Sequence, residues 1–270
     1  MEVKITKVNS NKIQGYRFFP ETSTNDSTVI TFGGSEGSCW FNMGFEIAQK
    51  GYNVLSLYYY GKPNLPHSLN KIDISFFDEI IFYIKENINP SSSITIVGAS
   101  RGAELALLLA TQYKQVSNVV LFSPSAFIFS GTDKSSAWTI DGEELPHITF
   151  SFRTVAQRLF NRKLPLVNSF RSELKHSKNY KKSKLDVSKF TGNILMFAGV
   201  EDLTWPSTDM GKIIESDSIS AASTELHTFE NAGHTFSNVH YDGGDSDGNL
   251  YAFYTSQKIL QKKLKIWSGN

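Results

Sequence analysis

ITIVGASRGAELALLLA, residues 94–110, changes character halfway along its length. Ile94 to Val97 is an apolar, β-branched run with no polar alternation, the pattern of a strand buried on both faces of a parallel sheet. From Ala103 onward the stretch is rich in Ala and Leu and free of β-branched residues, which favours a helix. Between the two stand Gly98, Ala99, Ser100, Arg101 and Gly102, a G-x-S-x-G match. A strand that turns directly into a helix leaves its bend residue in a strained conformation, and small residues two positions to either side let the neighbouring backbones approach. The bend would present the Ser100 hydroxyl at the carboxyl end of a sheet. Five residues of this kind also arise by chance in an ordinary loop, and it is the flanking strand and helix that weigh for a nucleophile.

The rest of the chain extends the same rhythm. Residues 1–20 read as a hairpin with strands near Val3 to Val8 and Ile13 to Phe19. Strands then alternate with helices: strand Thr28 to Phe32, helix Phe41 to Lys50, strand Asn53 to Tyr59, helix Ser75 to Glu86, the 94–110 seam, and strand Val116 to Phe122. The last strands are Asn193 to Phe197 and Thr224 to Phe229, with helices near Ser207 to Glu215 and Leu250 to Lys265. This alternation predicts an α/β fold, a mainly parallel central sheet with helices on both faces, as one domain over residues 1–270. Residues 123–187 break the pattern and read as a cap inserted over the carboxyl ends of the strands. Within it, residues 151–185 hold ten Lys or Arg against the single acid Glu173, a local balance of +9 where the whole chain is +1. A solvated cap surface is the plain account of that charge; a site for anionic ligand groups, with Arg158, Arg162 and Lys163 at the entrance, is the alternative.

A chain of 270 residues with 40% hydrophobic and 20% charged residues can bury one large core. The near-neutral balance predicts no nucleic-acid partner. No apolar run approaches the roughly 18 residues of a membrane span, the amino terminus lacks the apolar stretch of a secretory signal, and Cys39 alone cannot form an internal disulfide. A cytoplasmic location is the expectation. Oligomeric state is not legible.

A serine nucleophile needs a base, a carboxylate to orient it, and NH donors where negative charge develops. Downstream of Ser100 stand His147, His176, His227, His234 and His240. His234 follows Asn231, Ala232 and Gly233 in a loop just past a strand, which would bring its imidazole to the sheet edge. His227 lies inside that strand, and His240 is a weaker alternative in the same loop region. The loop after strand Asn193 to Phe197 supplies Glu201 and Asp202, the latter the choice for the acid. Chain order Ser, acid, His is that of the nucleophile-elbow hydrolases. For the oxyanion, the NH of Arg101 follows the nucleophile directly, and GGSEG, residues 33–37, offers the NH of Ser35 first and Gly34 second. GGSEG lacks the Lys and Ser or Thr of a P-loop, so no phosphate cradle is read there. DGGDSDGN, residues 242–249, fails the ligand spacing of a calcium loop and reads as a flexible surface loop. No metal or cofactor is called for.

These residues together look familiar. FGGSEGS, GYNVLSLYYYGKPNLPHSLNKIDISFFDEIIFYI, GASRGAELALLLA, DGEELP, GVEDLTWPS and NAGHTF resemble the catalytic domain of the acyl-CoA thioesterase and bile acid-CoA:amino acid N-acyltransferase family, members of the α/β-hydrolase fold. The second segment is the most specific, being long and without a role in a generic hydrolase signature. The likeness runs through most of residues 28–267. It implies a triad at Ser100, Asp202 and His234 and a small acyl ester or acyl-CoA as substrate. The acyltransferase branch tends to carry Cys at the nucleophile position, so Ser100 implies hydrolysis, with acyl transfer to an amine and a non-catalytic binding role as alternatives. Ala103 replaces a glycine common in the family, and larger members carry a β-sandwich domain before the catalytic one.

Overall fold

The structure is a computed structural model that describes residues 2–21, 27–151, 165–237 and 242–269. Its centre is an eight-stranded sheet in the order β1-β2-β4-β3-β6-β7-β10-β11. The first two strands, β1 (Val3–Asn9) and β2 (Gln14–Pro20), pair antiparallel, and β2 joins β4 (Asn53–Tyr58) antiparallel as well. From there outward the pairing is parallel, through β3 (Thr28–Phe32), β6 (Ile94–Ala99), β7 (Val116–Phe122), β10 (Asn193–Gly199) and β11 (Ser223–Phe229).

The uninterrupted apolar runs have a direct consequence in packing. Side chains alternate across the sheet, and both faces are covered. Val29, Val54, Val97, Val120 and Leu195 enter one core with Met43 and Ile47 of α1 (Phe41–Ala48) and with Leu260 and Leu264 of α6 (Ser246–Trp267). Their neighbours Ile30, Leu55, Ile96, Val119 and Ile194 enter the other core, with α2 (Phe76–Asn87), α3 (Arg101–Gln112) and α5 (Ser207–Asp217). Helix α3 is buried from Arg101 to Ala110, so its Ala and Leu content reflects burial on every side.

What covers the outer side of α3 comes from the stretch between β7 and β10. There β8 (Trp138–Ile140) and β9 (Glu143–Glu144) join β5 (Ile72–Asp73), which comes from between β4 and α2, in a second, three-stranded sheet, and helix α4 (Leu166–His176) packs Val167 and Phe170 inward. Sequence periodicity does not reveal strands of two or three residues, which are too short to display an alternation. Elsewhere the structure departs from expectation mainly at ends. Helix α3 begins at Arg101, because the bend at Ser100 leads straight into it. Helix α6 begins at Ser246 rather than near Leu250, because the Asp245 side chain accepts the Gly248 NH at 2.7 Å and caps it.

One expectation is overturned. Residues 242–249 do not form a flexible surface loop: Asp242, Gly243 and Asn249 are buried, and the segment brackets two other loops. The Asp242 carbonyl accepts the NH groups of His234 (2.9 Å) and Leu203 (3.1 Å), and Asn249 Oδ1 accepts the NH of Gly233 at 2.8 Å. Its glycines are there because neighbouring backbone leaves no space; a Cβ on Gly243, at φ +93°, would lie 1.9 Å from the Glu201 carbonyl. Among the described residues no helix is long and apolar enough to cross a membrane.

Candidate active site

Parallel neighbours end at the same edge of the sheet, and the register lines them up: Ala99 opposes Phe122, Phe122 opposes Phe197, and Gly199 opposes Phe229. The loops after β6, β7, β10 and β11 therefore meet, and they carry Ser100, Ser123, Asp202 and His234.

Ser100 has φ 54° and ψ −116°, a conformation that costs a non-glycine residue about 1–3 kcal/mol. The bend is fixed on both sides. Its NH donates to the Phe122 carbonyl at 2.9 Å, and its carbonyl accepts the NH groups of Ala103 (3.0 Å) and Glu104 (3.1 Å). The two glycines are required by close approach. A Cβ on Gly98 would sit 2.2 Å from the Gly102 carbonyl, and one on Gly102 would sit 2.3 Å from the Gly33 carbonyl.

His234 Nε2 lies 2.9 Å from Ser100 Oγ, and His234 Nδ1 lies 2.8 Å from Asp202 Oδ2. Asp202 and His234 are buried, while Ser100 is partly open. All of the Asp202 acceptor capacity is used. Oδ1 takes the NH groups of Thr204 (2.8 Å) and Trp205 (3.0 Å), and Oδ2 takes the Ser207 hydroxyl at 2.7 Å beside the imidazole. A carboxylate held in this way keeps Nδ1 as the protonated nitrogen and leaves Nε2 to accept from Ser100. The Trp205 ring meets the imidazole edge-to-face at 5.7 Å, and the Ser123 hydroxyl donates to the His234 carbonyl.

Of the candidate oxyanion donors, Gly34 stands against Ser100, since a Cβ there would be 3.2 Å from Ser100 Cβ, but its NH already donates to Glu36 Oε1 at 2.9 Å. Among the described residues no acceptor takes the NH of Ser35 or of Arg101. The loop is held from behind. The Tyr59 hydroxyl reaches the carbonyls of Gly33 (3.0 Å) and Gly34 (2.7 Å), and the Tyr60 hydroxyl donates to the Ser35 carbonyl. Burial pushes the Tyr59 phenol well above its ordinary range, so it remains a donor.

The Arg101 side chain turns away from Ser100. It pairs with Glu104 Oε2 at 2.7 Å and donates to the carbonyls of Phe129 (3.1 Å) and Ser130 (3.2 Å). Glu104 Oε1 accepts from Trp138 Nε1 at 2.7 Å, and burial pushes its carboxyl up to about 7 despite the guanidinium. This pair ties the residues after β7 to the helix that carries the bend.

The other sequence candidates are not brought here. His227 stays on β11, 3.4 Å from Glu225. His147 and His176 bond main-chain carbonyls of Leu145 (3.0 Å) and Ser172 (2.8 Å). His240, Arg158, Arg162 and Lys163 lie outside the described residues. Cys39 is no rival nucleophile, because burial raises its thiol above the usual range. Among the described residues no cluster of three or more His, Cys, Asp or Glu could hold a metal ion.

Residues 72–238 match the family described as BAAT / Acyl-CoA thioester hydrolase C terminal. The chain belongs to that family. Within the BAAT / acyl-CoA thioester hydrolase group, it is 26% identical over 202 residues to the mouse bile acid-CoA:amino acid N-acyltransferase, covering 74% of this chain and 46% of that protein. It is 23% identical over 206 residues to the mouse mitochondrial acyl-coenzyme A thioesterase 2, covering 76% of this chain and 43% of the relative. The chain thus spans about half the length of the curated relatives it matches. Among solved structures, an α/β hydrolase enzyme from a Medee basin deep-sea metagenome library superposes with a TM-score of 0.58 at 19% identity, over 96% of this chain and 97% of that one. The fold is that of the α/β hydrolases.

Proposed function

We propose that this chain is a serine hydrolase that cleaves an acyl thioester, with acyl-CoA as the substrate class, through an acyl-enzyme on Ser100. The observation that carries this reading is the unbroken hydrogen-bond path from Asp202 through His234 to Ser100. His234 Nε2 takes the Ser100 proton as Oγ attacks the acyl carbon, and the carbonyl oxygen becomes an oxyanion facing the NH groups of Arg101 and Ser35. Ser35 is preferred to Gly34 because the Gly34 NH is already engaged by Glu36. Collapse of the tetrahedral intermediate expels the thiol, which leaves with the proton from His234. Water then gives its proton to the same nitrogen, attacks the acyl-enzyme and releases the acid. Asp202 stays ionised and stabilises the imidazolium. The described residues among 123–187, those outside 152–164, serve as the cap.

The resemblance to an N-acyltransferase raises a second reading, transfer of the acyl group to an amine. A serine nucleophile favours hydrolysis, since its acyl-enzyme is an ester that activated water opens readily. The test is labelling by a fluorophosphonate, followed by product analysis with an acyl-CoA in the presence and absence of glycine. Wild type labels and releases free acid, and Ser100→Ala does neither. Undiminished labelling of Ser100→Ala removes Ser100 from the mechanism, and amide as the main product replaces hydrolysis by transfer.

A further inference from the structure

Beyond the reactive serine lies a cleft of about 840 Å³ between helix α4, the turns that follow it and helix α5. Its composition is divided. The wall and floor include Phe127, Leu174, Met210 and Ile213, with the Tyr180 ring tilted against Phe127 at 4.8 Å between centroids. Around these stand five cations, Arg171, Lys175, Lys178, Lys181 and Lys182, and one acid, Asp209. Asp209 is engaged by Arg171 at 3.4 Å; none of the four lysines has an acidic partner within 4.0 Å among the described residues.

Helix chemistry accounts for only part of this. Lys175 sits in the last turn of α4, where a cation meets the negative end of the helix. Lys178, Lys181 and Lys182 lie beyond that helix, in successive tight turns closed by Tyr180 NH to the Ser177 carbonyl and Ser183 NH to the Asn179 carbonyl. Like charges held so close repel one another, and an anion that bridges them removes that cost.

The cleft adjoins the layer of side chains that packs on the triad residues. Pro206, in its wall, directly follows Trp205, whose ring touches the His234 imidazole, and Phe170 of α4 packs against the same ring at 5.8 Å. One layer of aromatic side chains therefore separates the cationic cleft from the triad residues.

We propose that this cleft binds the nucleotide end of a CoA thioester, its phosphates on Lys178, Lys181 and Lys182 and its adenine over Tyr180 and the apolar floor. The assignment rests on the thioesterase reading above. Inorganic phosphate would have no use for the apolar floor, and an acyl chain none for five cations; an adenosine carrying separated phosphates uses both. From the cleft the thioester arm would have to pass over the buried Trp205 and Phe170 layer to reach Ser100.

The test pairs binding with kinetics. Adenosine 3′,5′-bisphosphate, titrated calorimetrically into wild-type protein, is expected to bind, and to compete with acyl-CoA but not with the acyl-pantetheine of the same chain length. The triple variant Lys178→Gln/Lys181→Gln/Lys182→Gln is expected to weaken that binding and to reduce the preference for acyl-CoA over acyl-pantetheine by about tenfold. Fluorophosphonate labelling of the variant reports that it is folded. Wild type that turns over both thioesters equally and does not bind the bisphosphate overturns the cleft assignment and leaves the thioesterase reading intact. Wild type that binds the bisphosphate through these lysines but hydrolyses neither thioester upholds the nucleotide site and overturns the thioesterase reading. Equal competition by inorganic sulfate at the same ionic strength overturns a nucleotide site in favour of a general anion surface.

Discussion

The main-chain carbonyl of Asp242 accepts the NH of His234 at 2.9 Å, while the carboxylate of the same residue accepts the hydroxyls of Thr235 (2.6 Å) and Thr204 (3.3 Å). One buried residue thus joins the loop that carries the imidazole to the loop that carries Asp202. Among the described residues its hydrogen bonds go to these two loops and none goes to Ser100, so on the proposed mechanism it acts as a positioning residue.

Asp242→Ala is expected to lower kcat by about tenfold to a hundredfold with little change in KM, because a displacement of the imidazole by a fraction of an ångström weakens proton transfer more than binding. The loss of two hydrogen bonds to a buried carboxylate should cost about 3 kcal/mol in urea unfolding. Asp242→Asn keeps the main-chain bonds and one side-chain acceptor and should recover most of kcat. Equal kcat for Ala and wild type would show that the main-chain bonds of residue 242 hold the two loops without its carboxylate.

Asp202→Asn tests the orienting carboxylate. The amide occupies the same space and still accepts from Thr204 and Trp205, so the variant folds. If its NH₂ faces Nδ1, the imidazole is held with the proton on Nε2, where it cannot accept from Ser100. The expected loss in kcat is on the order of 10⁴, with circular dichroism and melting close to wild type. A loss below about tenfold would remove Asp202 from the proton path.

Much of this site is legible in the sequence for a physical reason. Ser100, Asp202 and His234 each stand within a few residues of the end of a strand that the alternation of elements predicts, and parallel strands in register end at one edge, so position along the chain translates into position in space. Residues that brace those loops leave no such signature. Ser123, Tyr59 and Asp242 act through main-chain carbonyls of residues distant in sequence, and only the assembled sheet brings them together. The segment 242–249 reads as a surface loop for a related cause: Gly, Asp and Asn make exposed turns, and they equally make tight packing of one loop on another, as the approach of Gly243 to the Glu201 carbonyl demands. The small β5-β8-β9 sheet stays hidden because strands so short have no period.

Glu104 gives the pH prediction. Burial raises its carboxyl from 4.5 to about 7 in the folded state, so between those values the native protein holds a proton that the unfolded chain has lost. The stabilisation from this group is complete below about pH 4.5 and is lost as pH rises through about 7, a change of about 3 kcal/mol. Urea unfolding at pH 5 and pH 8 should show that decline in wild type and not in Glu104→Gln. The variant, neutral at every pH, should match or exceed wild type at pH 8, where the ionised carboxylate bears its desolvation cost. The difference in slope is the readout; identical slopes would show that Glu104 stays ionised throughout.

Tyr59 offers a test of the loop before the nucleophile. Its hydroxyl is the buried anchor for the carbonyls of Gly33 and Gly34, and on the proposed mechanism holding those carbonyls behind the loop leaves the next NH, that of Ser35, free to serve the oxyanion. Tyr59→Phe retains the ring, which packs edge-on against Phe32 at 5.9 Å, and removes only the hydroxyl. Two main-chain carbonyls lose their donor, and the loop gains freedom to turn a carbonyl toward the site, where it would repel an oxyanion. The expected result is a fall in kcat of about tenfold, KM within about twofold of wild type, and an unchanged rate of Ser100 labelling by a small sulfonyl fluoride only if that reagent draws nothing from the NH donors. Gly34→Ala provides the contrast, because its methyl would press on Ser100 Cβ at 3.2 Å and slow labelling by every probe. If Tyr59→Phe keeps full kcat, the loop is held by the Tyr60 bond to Ser35 alone, and Tyr60→Phe becomes the variant that shows the loss.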